Sequence, residues 1–158
     1  AEIGPKPKLK YLNLSKTEID DGALGSLADF PELEELLMFK TRVMGTGLAS
    51  LSEDRKLTGV GLAGCPITDL SLKGFAVPPH WEILNLSDTQ ITDQGVLNLK
   101  IPASVTSILL GNTLVTDSSL DHFQSLPNLS LLGVHGSKVT PNGIKRFLAK
   151  NPYCEFQK

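Results

Sequence analysis

The sequence predicts a right-handed α/β solenoid of about seven 24-residue repeats, with a curved parallel sheet on its concave face and short helices on its convex face. Three observations carry this. The first is an unbroken period: Leu9, Leu33, Leu57, Trp81, Val105, Leu129 and Tyr153 stand 24 residues apart. The second is strand alternation just after each of these positions. The third is helical spacing in the segment that returns to the next repeat.

The strand comes first in each repeat. In Leu9-Lys10-Tyr11-Leu12-Asn13-Leu14 the apolar residues alternate with polar ones, so Leu12 and Leu14 point inward and Tyr11, Asn13 and Ser15 outward. The inward columns continue as Leu36, Val60, Leu84, Ile108, Leu132, Phe156 and as Met38, Leu62, Leu86, Leu110, Val134. A column of small residues follows: Thr17, Thr41, Cys65, Thr89, Thr113 and Ser137. These stand where the chain leaves the sheet, and their side chains are placed to satisfy backbone groups the turn leaves unpaired. On the return, Val96 and Leu99 lie three apart. So do Leu24/Leu27, Leu48/Leu51, Leu72/Phe75, Leu120/Phe123 and Ile144/Phe147, giving one apolar helical stripe per repeat. Thr92 or Asp93 is placed as N-cap, as are Thr68/Asp69 and Thr116/Asp117. Pro31, Pro78, Pro79, Pro102, Pro127 and Pro152 follow the helical stretches and end them.

These columns resemble the leucine-rich repeat family, whose pattern is Leu-x-x-Leu-x-Leu-x-x-Asn/Cys-x-Leu, over residues 9–156. Ile91-Thr92-Asp93-x-Gly95 is most similar to the cysteine-containing, ribonuclease-inhibitor-like subclass and to bacterial relatives with a Thr-Asp-x-Gly signature. Two departures stand out. Thr replaces the usual Asn or Cys in four of six repeats, and repeat two reads Val43-Met44-Gly45-Thr46-Gly47, so its helix is expected to start late or be irregular. The resemblance implies a non-catalytic, cofactor-free module that binds another protein. The alternative is the ligand-recognition region of a larger bacterial receptor or kinase-linked chain whose activity lies outside this sequence. Residues 1–8 read as an N-terminal extension and 9–158 as the repeat domain.

Bulk properties narrow the partners. Net charge is −2, which gives no basic footprint for unselective nucleic-acid binding. No apolar run reaches the ~18 residues of a membrane span. Cys65 and Cys154 lie four strands apart, roughly 19 Å at about 4.8 Å per strand, too far to bridge. Two unpaired thiols favour a reducing, cytoplasmic compartment. The chain starts at Ala1 rather than Met, so removal of something upstream is expected. A lost signal peptide would allow the cell envelope or secretion. Repeat one begins directly after residues 1–8 without a capping helix, so either the Pro-Lys segment, self-association through the first strand or further repeats upstream would cover that edge.

Catalytic groupings are not evident. The Thr/Cys/Ser column lacks a repeated base. Asp21, Asp69, Asp93 and Asp117 form an acidic column that could attract a cation, but each stands where a first helical turn presents free N–H groups, so capping is the expected role. His80, His122 and His135 fall in three different structural columns. The informative positions face outward from the sheet, where the fold does not dictate identity. Tyr11, Leu37, Phe39, Ile83, Asn85, Leu109, Leu131 and His135 are the candidate partner-binding residues there. Leu37, Phe39, Ile83, Leu109 and Leu131 are expected to stand in solvent, with the Gly59-Val60-Gly61-Leu62-Ala63 strip nearly bare between them. Asn13/Asn85, Leu37/Leu109 and Gly61/Gly133 repeat at 72 residues, an interval that either chance or duplication of a three-repeat block would produce.

Overall fold

The computed structural model describes residues 8–48, 51, 56–73 and 75–157. The predicted N-terminal extension, apart from Lys8, lies outside them, as does Lys158. Seven strands form a single parallel sheet in chain order: β1 Tyr11–Asn13, β2 Glu35–Leu37, β3 Gly59–Gly61, β4 Ile83–Asn85, β5 Ser107–Leu109, β6 Leu131–Gly133 and β7 Glu155–Gln157. Every pairing joins residues 24 apart, as in Tyr11 with Glu35 and Leu84 with Ile108. The sequence period is therefore the sheet register.

Each of β1 to β6 leaves the sheet through one left-handed residue. Lys16, Lys40, Gly64, Asp88, Asn112 and Gly136 all have positive φ and form a 24-residue column of their own. At five of these positions the backbone N–H still donates to the next repeat, as in Lys16 N to Phe39 O at 2.7 Å and Asn112 N to His135 O at 2.6 Å. The chain then turns inward over the Thr/Cys/Ser column. Thr17, Thr41, Thr89, Thr113 and Ser137 each donate the side-chain hydroxyl to the carbonyl three residues back, at 2.6–3.0 Å. Cys65 instead donates to Met38 O of the preceding repeat at 3.0 Å. Cys65 and Cys154 are free thiols, both buried.

The core lies between sheet and return segments. Leu36, Leu62, Leu84, Leu86, Ile108 and Leu132 are buried from the sheet side, and the helical pairs Leu24/Leu27, Leu48/Leu51, Leu72/Phe75, Val96/Leu99 and Leu120/Phe123 from the other. Trp81 fills a leucine position and meets Phe75 at 5.9 Å between ring centroids. One column member departs from expectation: Tyr153 is 93% exposed. The chain turns at Pro152–Tyr153, where Cys154 N donates to Asn151 O, and it is Cys154 that turns inward.

The return segments are not uniform. Helices α1 Asp21–Leu24 (continued as a 3-10 turn, Gly25–Asp29), α2 Asp93–Asn98, α3 Asp117–Phe123 and α4 Pro141–Lys150 occupy repeats one, four, five and six. In repeat two the described residues reach 3-10 geometry only at Leu48, in keeping with the late or irregular start expected there, whereas residues 69–73 of repeat three form turns where a helix was predicted. The acidic column marks the starts of α2, α3 and α4, and it corrects the capping role expected of the aspartates. The N-caps of α2, α3 and α4 are Thr92, Thr116 and Thr140, each accepting a backbone N–H of its own first turn. The aspartates reach across to the next repeat. Asp69 accepts from Thr92 N at 2.8 Å and from its hydroxyl at 2.6 Å. Asp93 does the same for Thr116, and Asp117 for Thr140. Each threonine thus donates backward to the previous repeat's aspartate and accepts from its own helix.

Both halves of this link are present where α2, α3 and α4 form. Repeat two lacks the threonine: Asp21 accepts directly from the N–H groups of Met44, Gly45 and Gly47, at 2.7–3.0 Å. Thr68 of repeat three has no aspartate in the repeat before it, because Gly45 stands in that column; Thr68 N donates instead to Ser71 Oγ at 2.9 Å. The link also explains the signature glycine. A Cβ on Gly95 would press into the carboxylate of Asp69, and one on Gly143 into that of Asp117. Ser119, at the equivalent place in repeat five, turns the same closeness into a 2.5 Å hydrogen bond to Asp93.

Candidate functional site

The outward face of the sheet carries all eight candidate residues. Tyr11 and Ile83 are 49% and 45% exposed. Leu37, Phe39, Leu109 and Leu131 are half-buried rather than in solvent. The reason is the glycines. Phe39 and Leu37 lean across Gly61 so closely that a Cβ there would strike the Phe39 ring. Leu109 leans over Gly133 in the same way, its Cδ2 2.9 Å from where a Cβ would sit. The bare strip expected along repeat three is thus partly covered by its neighbour's side chains. His135 is exposed on the turn after β6, its ring lying over Gly111.

Two depressions result. The first, about 390 Å³, has Gly59, Val60 and Gly61 as its floor, with Leu37 and Phe39 on one side and Ile83 and Asn85 on the other. Tyr11, Lys10, Glu34 and Glu35 close its strand-entry end. The second, about 400 Å³, includes Phe39, Asn85, Leu109 and His135 with Ala63 and Ser87, and is edged by Lys16, Lys40 and Asp88. Phe39 and Asn85 border both; Leu131 borders neither. Asn85 also has a local task, accepting Ser87 N at 3.1 Å, as Asn13 accepts Ser15 N at 2.9 Å.

The charged residues around these depressions were missed by sequence reasoning. Lys10 and Glu34 pair at 2.8 Å, and the carboxylate beside it raises the Lys10 pKa. Lys16 and Lys40 share a column legible in the sequence, but its left-handed backbone was not read. No group of three or more His, Cys, Asp or Glu that could hold a metal occurs among the described residues, and the aspartate column is occupied by its neighbours' N–H and hydroxyl groups. Burial raises the Cys154 thiol pKa, as does Glu155 beside it, which opposes thiolate chemistry. No helix among the described residues is long and apolar enough to cross a membrane.

A sequence profile described as Leucine Rich repeat matches residues 6–28 and 78–100, two segments offset by 72 residues, the same interval as the Asn13/Asn85 and Gly61/Gly133 pairs. The chain is a leucine-rich repeat protein. Among solved structures it is similar to an internalin from Listeria monocytogenes, with a TM-score of 0.69 at 20% identity, covering 96% of this chain and 48% of that one. It is also similar to a leucine-rich repeat protein of Leptospira interrogans, with a TM-score of 0.57 at 20% identity, covering 96% of this chain and 43% of that one. The chain therefore spans less than half the length of either. Comparison with curated protein sequences gives no match. At these identities the likeness concerns the fold; the subclass is not distinguished by it. Leucine-rich repeat arrays are in general protein-binding modules and typically non-catalytic.

Proposed function

We propose that this protein is a non-catalytic binding module that takes a protein partner on the outward face of its sheet. The observation that supports this is the pair of adjoining depressions sharing Phe39, each with apolar side chains in its lining, on the outward surface of the sheet. A partner's projecting side chains need such a relief, and aromatic residues at its centre are favoured hot spots. Among the described residues no nucleophile stands paired with a base, and catalysis is not part of this reading. The test is affinity capture from a lysate of the protein's own cells, comparing wild type with Ile83→Arg/Leu109→Arg. Ile83 is exposed and Leu109 half-buried, so a melting curve accompanies the comparison. Loss of the captured protein with folding retained supports the face; unchanged capture moves the site to the convex side or the loops. A second reading, recognition within a larger bacterial receptor or kinase-linked chain, is favoured by the partial coverage of both similar structures. The complete reading frame of the gene decides it.

A further inference from the structure

The two rims of the binding face differ in charge. Acids dominate where the strands enter; where they turn off, two lysines stand in repeats one and two, followed in repeat four by Asp88, which accepts from Asn112 Nδ2 at 2.8 Å. Where the strands enter stand Glu34, Glu35 and Glu82; Lys10 neutralises Glu34, whereas the carboxylates of Glu35 and Glu82 have no partner among the described residues. Where the strands turn off stand Lys16 and Lys40, at the same position of adjacent repeats and about 4.8 Å apart at the backbone. Neither ammonium has a carboxylate partner among the described residues. The fold does not ask for lysine here. The column requires left-handed backbone, and its other members are Gly64, Asp88, Asn112 and Gly136, the residue types that tolerate it. Lysine is disfavoured at φ of 60° and 54°, and two adjacent like charges repel. Strain of this kind, kept at the edge of a depression, points to use.

Building on the reading of this face as the binding surface, we propose that its occupant is an extended acidic segment of a protein partner. An apolar side chain of the segment rests on Gly59, between Ile83 and the Leu37 and Phe39 side chains that cover Gly61. An Asp or Glu beyond it pairs with Lys16 and Lys40. The acidic rim fixes the direction, since Glu35 and Glu82 would repel that carboxylate and accept a basic residue instead. Glu35 and Lys40 are five residues apart along the chain, about 16 Å if extended, so the segment's basic and acidic residues should be separated by a similar span. A nucleic acid, with phosphate throughout, would meet the acidic rim at its other edge.

The probe is a random dodecapeptide library displayed on phage and selected on the full chain. Selected peptides should pair an apolar residue with Asp or Glu on one side. Their affinity should fall by about tenfold or more on Lys16→Glu/Lys40→Glu. Reselection on that variant should exchange the acid for Lys or Arg at the same place. A parallel arm uses Ile83→Arg, which blocks the apolar seat; melting curves confirm that both variants fold. Loss with Ile83→Arg but no change with the lysine variant overturns the acidic-segment inference and leaves the binding face standing. Insensitivity to both variants overturns the face itself. A library that yields no binder, or binders without acidic preference, also overturns the inference.

Discussion

At the scale of single residues, the convex side is organised by carboxylates that serve the next repeat. Asp93 shows the balance of forces. Partial burial pushes its pKa up, but the Ser119 hydroxyl and the Thr116 N–H and hydroxyl outweigh that, and the net shift is downward. Truncation to Ala leaves those three donors of the following helix start without their acceptor. Asp93→Ala is therefore expected to cost about 1–3 kcal/mol. Thr92→Ala, which removes a cap hydroxyl, should cost about 0.5–2 kcal/mol. Urea unfolding of the two variants checks this; an Asp93→Ala effect near zero would contradict the cross-repeat link. The sign of the pH dependence follows from the lowered pKa. A carboxylate whose folded pKa is depressed stabilises fully above its unfolded value, near pH 4, and loses this as pH falls through the folded value. The stability gap between wild type and Asp93→Ala should then be wide at pH 7 and narrow on acidification below about pH 4. A gap constant across that range would mean that the ionised form is not what binds. The sequence showed the acid column but not its direction. A carboxylate at the start of a helix can serve its own turn or its neighbour's, and only the packing of two repeats chooses between them. Lys16 and Lys40 were opaque for a similar reason: lysine carries no local signal for left-handed backbone, and only alignment with Gly64 and Gly136 discloses it.

At the scale of elements, the aspartate–threonine link accompanies the starts of α2, α3 and α4, whereas apolar spacing does not by itself mark a helix. Leu72 and Phe75 are buried as the helical pattern required, yet Leu72 lies in a turn and Phe75 just beyond it. Burial of one apolar stripe needs only that the side chains reach the core, and a turn of suitable width achieves it. Periodicity alone could not separate the two outcomes, whereas the departure Met44-Gly45 was legible and marked repeat two as irregular. Met44 is exposed and its N–H already meets Asp21 at 2.8 Å, as the N–H of Thr92 meets Asp69. Met44→Thr would add the missing hydroxyl donor. It should stabilise the protein by about 0.5–1 kcal/mol, measured as a higher urea midpoint. Helix content should stay unchanged, because Gly45 keeps its φ of 96° and no threonine alters that. A rise in helical circular dichroism would show that the cap, not Gly45, controls the turn.

At the scale of the whole molecule, each repeat touches only its neighbours, so the array is a chain of similar interfaces. Seven strands in strict order and constant register were readable because the period never slips; the relief of the outward face was not, because it depends on which side chains lean over Gly61 and Gly133. The nearest-neighbour architecture makes the location of a core defect as important as its size. Leu86 is fully buried in repeat four, flanked by Leu62 and Leu110. Phe156 is half-buried on β7 and packs edge-on against Phe147 at 5.5 Å. Leu86→Ala is expected to cost about 2–5 kcal/mol and to weaken coupling between the two halves of the array. Phe156→Ala removes more atoms but lies at the last described strand, so its cost should appear as local opening. Hydrogen exchange separates the cases. For Leu86→Ala, amides of β3, β4 and β5 should lose protection together and the melting temperature should fall. For Phe156→Ala, faster exchange should be confined to β7 and the end of α4, with the global transition little moved. Equal loss of protection across all seven strands in both variants would show that the array opens as one indivisible unit and that nearest-neighbour coupling does not describe it.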